Sequence, residues 1–538
     1  MKQRVAVSVL IVAVWTSMLA TESHAAKILL VPMNANSHVM YFSRLGIGLA
    51  KLGHVTTLLA PSNARVPDFV HDDMKNSTYI QYPVDRETQF VNSPEMARMM
   101  LTSAMKKSTL QYMRSVRECH AHVRRSSEED CTQLLDNVEV MRKVRESEYD
   151  FAIMDPVSAI ACYYIIPLTL RIPYASLSIP LLFTADSFRV PRLVSFPNFI
   201  NPNEPPTFFE RLQTFIIEIA DDFFYTDSTH FMNKYAPDHP LVSTMEMMQR
   251  QSLWFFLEDL STNHPSPQMP NTVAIGDIMA GERGQPLSAE IEEFVSNSKH
   301  GVIIVAFSSL FSPKLFPPAI TRPLCEALIE ATKQFGLSVI WTLNDKDFCR
   351  NDNILMSPWL SQNDLLADSR VKLFINHGGY NSVIESVYHA KPLIIFPIGL
   401  DQRGNAATAE SKGYAIRMNI ADFSSESLVS NIGNLITDPR YKRNAQLASD
   451  ILRDRRDTPA ERVSAMIDHV IKYGDRHIRT GAFQLSTLQF IMFDIFAALV
   501  AAAAVSLLCV IVCCYCVYLK CCRQRCHNKS SREKYKLQ

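Results

Sequence analysis

Between Trp359 and Gln402 the chain reads WLSQNDLL, then VKLFINHGGYNSVIES, then KPLIIFPIGLDQ. No other stretch constrains the fold as much. Residues 371–375 form a short aliphatic run of the kind that makes a fully buried parallel strand. The run ends at Asn376, and His377-Gly378-Gly379 then predicts a tight loop. A helix follows near Asn381 and Ser382 and runs to about Tyr388, and residues 393–398 give a second buried strand. A β-loop-α-β unit with two glycines at its first turn lets backbone N–H groups and a helix start close on an anion such as a phosphate. Ser382, Glu385 and His389 recur at helical spacing, the first two on one face. Asp401-Gln402 lies just past the second strand, where open α/β sheets bind ligands. A purely structural αβ unit with a capping Asn-Ser accounts for an HGG loop alone.

A chain of 538 residues predicts more than one domain. Lysine plus arginine (54) balances aspartate plus glutamate (54), so nothing points to a nucleic-acid partner. Residues 1–25 read as a secretory signal: Lys2 and Arg4, an apolar run over 5–19, then Ser23-His24-Ala25 as a cleavage site. The mature chain opens with a buried strand over 27–31. A loop leads to a helix from about His38 to Leu52, ended by Gly53, and then a strand over 55–59. This is a second Rossmann-like start without GxGxxG, which argues against a dinucleotide. Asn36-Ser37-His38 reads by itself as Ser37 capping the helix with His38 on its surface. Residues 151–154 form another strand, ending at Asp155-Pro156, which alone reads as a turn.

Residues 86–148 read as mostly helical, rich in charge and in Met96, Met99, Met100, Met105 and Met113. Methionines suit a pocket that accepts varied apolar molecules, and equally an ordinary core. Cys119 and Cys131 are close enough in sequence for a disulfide. Asn76-Ser77-Thr78 is a glycosylation sequon. Residues 179–266 are Phe- and Pro-rich, with a helix-like run over 211–224. In the second half, a strand over 302–307, a helix over 317–335 and a strand over 338–343 precede the HGG unit. Asp345-Lys346-Asp347 is formally a D-x-D, but in a polar loop it reads as solvated surface. Helices follow over 405–412, 426–435, 439–455 and 459–473. Residues 495–519 carry no charge and are long enough to span a bilayer. Lys520, Arg523, Arg525 and Lys529 follow, so the positive-inside rule places the tail in the cytosol. Seven of the twelve cysteines fall in this span and tail, with Cys521-Cys522 placed for palmitoylation.

Trp359, Gln362, His377-Gly378-Gly379, Asn381-Ser382, Glu385 and Asp401-Gln402 together resemble the donor motif of the UDP-glycosyltransferases, most nearly the animal membrane-bound UDP-glucuronosyltransferases. The resemblance implies an α/β protein with two facing Rossmann-like domains, the GT-B arrangement, plus one C-terminal transmembrane helix. The domains would be an acceptor domain over 26–270, a UDP-sugar domain over 271–475 with a helix crossing back, a linker over 476–494, the span over 495–519 and a basic tail over 520–538. It implies that Trp359 stacks on uracil and Gln362 contacts the uridine. His377, Asn381 and Ser382, with the Gly378-Gly379 turn, would hold the diphosphate. Glu385 would bind the ribose, and Asp401 and Gln402 the sugar. His38 would be the general base and Asp155 its buried partner. Ser308 or Ser309 would donate to the diphosphate, although the family's glycine after Phe307 is absent. In the segment over 253–260, the resemblance implies an arginine that could pair a glucuronate carboxylate, where this sequence has Leu257. The resemblance implies no cofactor and no metal, a UDP-sugar co-substrate, a small lipophilic acceptor, and room for a homo-oligomer. It also implies an endoplasmic reticulum membrane protein of type I, with Lys534 and Lys536 resembling a retrieval signal.

Overall fold

The computed structural model describes residues 25–64, 77–85, 93–105, 109–156, 161–179, 207–208, 229–265, 268–282, 284–307, 315–343, 345, 348–399, 401–490 and 492–535. The expected signal over 1–25, apart from Ala25, the sequon asparagine Asn76, the loop serines Ser308 and Ser309, and the helix over 211–224 lie outside the described residues.

Two all-parallel sheets organise the chain. The first has seven strands in the order β3-β2-β1-β4-β5-β6-β7. They are β1 (Lys27–Val31), β2 (Val55–Pro61), β3 (Thr78–Tyr82), β4 (Phe151–Met154), β5 (Tyr174–Ser178), β6 (Leu253–Phe256) and β7 (Thr272–Ala274). The second has six, in the order β10-β9-β8-β11-β12-β13. These are β8 (Val302–Ala306), β9 (Ser338–Thr342), β10 (Ile354–Ser357), β11 (Val371–Asn376), β12 (Leu393–Ile395) and β13 (Ala415–Arg417). Strands such as β1, β4 and β8 are continuous aliphatic runs because helices cover both faces of a parallel sheet.

The strand order places the sites. In the first sheet the chain runs outward from β1 through β2 to β3, then returns to start again at β4 on β1's other side. β8 and β11 make the same reversal in the second sheet. A crevice opens beyond the carboxyl ends of the two strands flanking such a switch, because their following loops diverge. Leu30 pairs with Ile153 and Val31 with Met154, so the loops after β1 and β4 start level. Ala306 likewise pairs with Asn376.

Helix α1 (Asn36–Lys51) begins two residues before the expected His38, with Ala35 as its N-cap and no side-chain cap. Ser37 therefore does not cap it, and His38 sits in its first turn. Helix α2 (Pro94–Ala104) starts conventionally: Ser93 Oγ accepts from Met96 N–H at 3.2 Å and Pro94 occupies the first turn. Its methionines answer the alternative left open by the sequence. Met96 and Met100 are buried in the hydrophobic cluster that holds Val305, Phe307 and Phe396 of the second sheet. They are core, and they join the two halves of the chain. The long helix α3 (Thr109–Asp136) follows.

A helix near the end, α8 (Pro459–Tyr473), returns to the first lobe. A full capping box starts it, Thr458 and Glu461 each bonding the other's backbone N–H. A Cβ added to Gly48 of α1 would lie 2.6 Å from Ala460 Cβ, so glycine is what permits this close crossing. His54 Nε2 lies 2.7 Å from Ser464 Oγ, and Arg462 donates to Ala274 O at 3.0 Å. The last helix, α9, runs Phe493–Tyr535, well past the expected end at Leu519. Its Phe493–Arg523 portion, whose most apolar 18-residue window has a mean hydropathy of 2.9, is long and apolar enough to cross a membrane.

Cys119 and Cys131, close enough in sequence for a disulfide, do not form one. Cys131 pairs with Cys162 and Cys325 with Cys349, while Cys119 is a buried thiol with Sγ 3.5 Å from Met96 Sδ. Cys119 and Cys131 both lie on α3, and each of the two bridges joins different segments.

Candidate active site

At the first switch point the loops after β1 and β4 bring His38 and Asp155 together. His38 Nδ1 lies 2.6 Å from Asp155 Oδ2. Asp155 is fully buried, and the His38 side chain is 18% exposed. The same oxygen accepts the Met33 N–H at 3.1 Å and the Tyr41 hydroxyl at 3.2 Å. Tyr41 Oη is also 2.6 Å from His38 Nδ1. Burial raises the Tyr41 phenol well above its usual range, and the neighbouring Asp155 adds to this, so the group stays a protonated donor. With Nδ1 turned to Asp155, Nε2 is the ring nitrogen left for other chemistry. Sequence reading missed Tyr41. Its signal is the i, i+3 spacing that puts it one turn beyond His38 on α1.

At the second switch point, helices α5 (Gln362–Leu366), α6 (Tyr380–Tyr388) and α7 (Gln402–Ser411) surround the HGG loop. Asn376 Oδ1 accepts from Gly378 N–H at 2.7 Å, which turns the chain sharply at the strand end. Gly378 has φ +85°, and a Cβ there would lie 2.7 Å from Ile395 Cγ2. Helix α6 starts at Tyr380, one residue before the expected Asn381. Its N-cap is Gly379, without a side-chain cap. First-turn amides near Asn381 and Ser382 are therefore left for an anion. His377 is buried beside the Ala306 backbone, and burial pulls its imidazole down to about 4. It is a neutral hydrogen-bonding group at ordinary pH.

Three of the sequence-predicted residues touch one another. Gln362 Nε2 donates to Glu385 Oε2 at 2.6 Å and to Ser382 Oγ at 3.3 Å. Burial raises the Glu385 carboxyl to about 7, against the opposing pull of the Gln362 bond. Trp359 stands apart, 66% exposed, offering a free flat ring. His389 faces elsewhere, its Nε2 3.0 Å from Asn363 Oδ1. Gln402 is turned inward: its Oε1 accepts from Ile398 and Gly399 N–H at 2.8 and 3.0 Å. That acceptor shapes the loop, leaving the amide nitrogen as the end for a ligand. Asn405, another residue the sequence reading missed, donates to Asp401 Oδ2 at 2.6 Å and to Gly378 O at 2.9 Å. Its signal is again spacing, four residues after Asp401 on α7.

The two sites face each other. Burial raises the Asp401 carboxyl, hydrogen bonds from Asn405 and the Tyr380 N–H oppose this, and His38 of the other lobe lies near enough to act on it electrostatically. Arg44, two turns along α1 from His38, donates to Met279 O in the segment joining the lobes, and its field reaches Glu385. His38, Tyr41 and Arg44 thus mark one stripe of α1 along the cleft. Among the described residues no three of His, Cys, Asp and Glu gather as a metal cage.

The fold is the two-lobed GT-B arrangement of glycosyltransferases. The crystal structure of glycosyltransferase VinC in complex with DTDP matches with a TM-score of 0.56 at 14% identity, covering 83% of this chain and 100% of that one. The structure of CalG4, the calicheamicin glycosyltransferase, matches with a TM-score of 0.55 at 13% identity, covering 84% and 99%. The sequence model described as "UDP-glucoronosyl and UDP-glucosyl transferase" matches residues 26–528, and the chain belongs to that family. Similar relatives include UDP-glucuronosyltransferase 2A3 of Cavia porcellus, 26% identical over 92% of this chain and 94% of its own. UDP-glucuronosyltransferase 3A2 of Mus musculus is 27% identical over 88% and 90%.

Proposed function

We propose that this chain transfers a sugar, glucuronate first among the choices, from a UDP-sugar to a hydroxyl of a small lipophilic acceptor, with inversion at the anomeric carbon. The observation that carries the reading is the His38–Asp155 pair set across the cleft from Asp401 and the Gln362–Ser382–Glu385 cluster. His38 Nε2 takes the acceptor proton while Asp155 holds Nδ1–H and stabilises the imidazolium. The acceptor oxygen forms its bond to the anomeric carbon as the bond to the UDP oxygen breaks. Negative charge grows on the diphosphate, where the open first turn of α6, Asn381, Ser382 and neutral His377 receive it. Ser308 or Ser309 adds a donor there. Trp359 stacks on the base, Glu385 accepts from the ribose hydroxyls, and Asp401 with the Gln402 amide nitrogen holds the sugar. The UDP-sugar is a co-substrate, and this reading uses no separate cofactor or metal.

The domain limits proposed from the sequence, a glycan at Asn76, self-association and a type I place in the endoplasmic reticulum membrane belong to the same reading. The apolar helix Phe493–Arg523 supports the anchor. A second reading makes glucose the sugar. It is favoured by Leu257, which is apolar and 1% exposed where the resemblance calls for an arginine to meet a carboxylate.

The test measures UDP release by membranes containing the full chain, with a mixed phenol pool and UDP-glucuronate, UDP-glucose or UDP-N-acetylglucosamine, beside His38→Ala. The expected result is release with one donor, cut by roughly 10²–10⁴ in the variant. Equal release from both proteins removes His38 as the base, and no release with any donor removes the activity.

A further inference from the structure

Asn34 lies in the loop between β1 and α1, four residues before His38, and is 5% exposed. Its amide nitrogen donates to Asp130 Oδ2 at 2.9 Å. Asp130, on α3, is itself 3% exposed. This bond sets which way the amide points, because a flip would aim an oxygen at a carboxylate. Asn34 Oδ1 is therefore turned away from Asp130. It is buried and has no hydrogen-bond partner among the described residues.

The loop cannot shift freely to relieve this. The preceding residue, Met33, gives its N–H to Asp155 Oδ2. On the other side, Cys131 follows Asp130 in sequence, and its bridge to Cys162 ties α3 to the segment just beyond Asp155. Tyr82 and Tyr163, joined hydroxyl to hydroxyl at 2.9 Å, pack in the same cluster as Cys131 and Cys162. The unmet acceptor is thus held in place by the elements that hold the base, at the carboxyl end of β1. A buried carbonyl oxygen without a donor is costly, and in native proteins such a group has a ligand or an ordered water to meet it.

We propose that Asn34 Oδ1 is an anchor point for the acceptor. The substrate class would be small, mainly apolar molecules that carry, besides the hydroxyl to be glycosylated, a second hydrogen-bond donor for Asn34. Asp130 acts through Asn34 by orienting it. This rests on the transferase reading above, with the acceptor bound on the His38 side.

Equilibrium binding to the detergent-solubilised full chain in the presence of UDP tests it without requiring turnover. The probes are 1-naphthol and a set of dihydroxynaphthalenes that place the second hydroxyl at different ring positions. At least one diol should bind wild type about tenfold more tightly than 1-naphthol. Asn34→Leu, close in shape and apolar, should erase that advantage and leave 1-naphthol unchanged. Asn34→Ala should do the same, with cooperative unfolding checked for both. Equal binding of every probe by wild type overturns the proposal, and means that Oδ1 faces water. Equal weakening of 1-naphthol and the diols in both variants also overturns it, and assigns Asn34 to loop structure alone. A loss confined to UDP-glucose binding overturns it in favour of the donor sugar. Failure of the transferase reading shows separately, as absence of glycoside product from wild type with any donor.

Discussion

Glu385 offers a quantitative test of donor binding. Its carboxyl is raised to about 7, chiefly by burial, with Gln362 as a hydrogen-bond donor opposing the shift. Ribose hydroxyls donating to it favour the ionised form, so the empty protein must lose a proton before the donor binds well. Near pH 6 that requirement weakens binding by about tenfold, and near pH 8 by almost nothing. Affinity for UDP-glucose should therefore rise roughly tenfold over this range. UDP-glucose is the right probe, because free UDP carries a terminal phosphate that titrates nearby. Titration calorimetry in two buffers of different ionisation enthalpy should count about one proton released per donor bound near pH 6. Glu385→Gln should flatten the profile. The empty protein gives the complementary signal. A carboxyl raised above its unfolded value contributes stability that is complete below about pH 4 and is lost as pH rises through about 7, here roughly 3 kcal/mol. The unfolding midpoint of wild type should fall across that window more than that of Glu385→Gln. A donor affinity independent of pH, or an equal slope in both proteins, would refute the reasoning.

Gly378→Ala meets both a left-handed backbone and a Cβ contact 2.7 Å from Ile395. It should cost about 1–2 kcal/mol from the backbone and about 1–3 more from crowding, with weaker donor binding. Thermal unfolding and UDP-glucose titration check this, and a neutral result would place the loop differently. Tyr41→Phe removes a donor from Asp155 Oδ2 while keeping the buried ring. We expect kcat to drop about tenfold with little change in either KM; a change confined to acceptor KM would make Tyr41 a pocket wall. Replacing Cys131 and Cys162 by serine opens a bridge with a sequence separation of 31 residues. The expected loss is about 3–4 kcal/mol in thermal unfolding of the full chain, and no loss would contradict the chain-entropy argument.

The HGG unit was legible because its signals are local: an aliphatic run, two glycines, and a helix all within about forty residues. The strand, loop and helix around His38 and the helix α8 were legible for the same reason, while the crossing of α8 to the first lobe came from the resemblance. β3, β7 and β13 were not, since TYIQY, TVA and AIR are too short or too mixed to stand out from loops. Met96 and Met100 read correctly as helical positions. That they pack into the second sheet's core depends on contacts hundreds of residues away, which no periodicity encodes. Tyr41 and Asn405 lay in helices already read from the sequence, but their roles follow from an angle of approach. The pairing of Cys119 and Cys131 was left open by the sequence, because proximity along a chain says nothing about which segments are brought side by side. Gln402 shows a finer limit: its carbonyl proves to be used by the protein itself, accepting from Ile398 and Gly399 N–H.

The seam between α1 and α8 also carries a history. His54 and Ser464, which meet across it, are 410 residues apart in sequence. At typical synthesis rates they leave the ribosome about 20–80 s apart. For that interval the first lobe exists with the Gly48 side of α1 bare, awaiting a helix not yet made. Its closing piece is followed by only about twenty residues before the apolar helix at Phe493. The last act of assembling the two-lobed body and the emergence of the apolar helix are thus nearly simultaneous. A truncation before Pro459 leaves that apolar strip uncovered and should be held by chaperones rather than released as a free lobe.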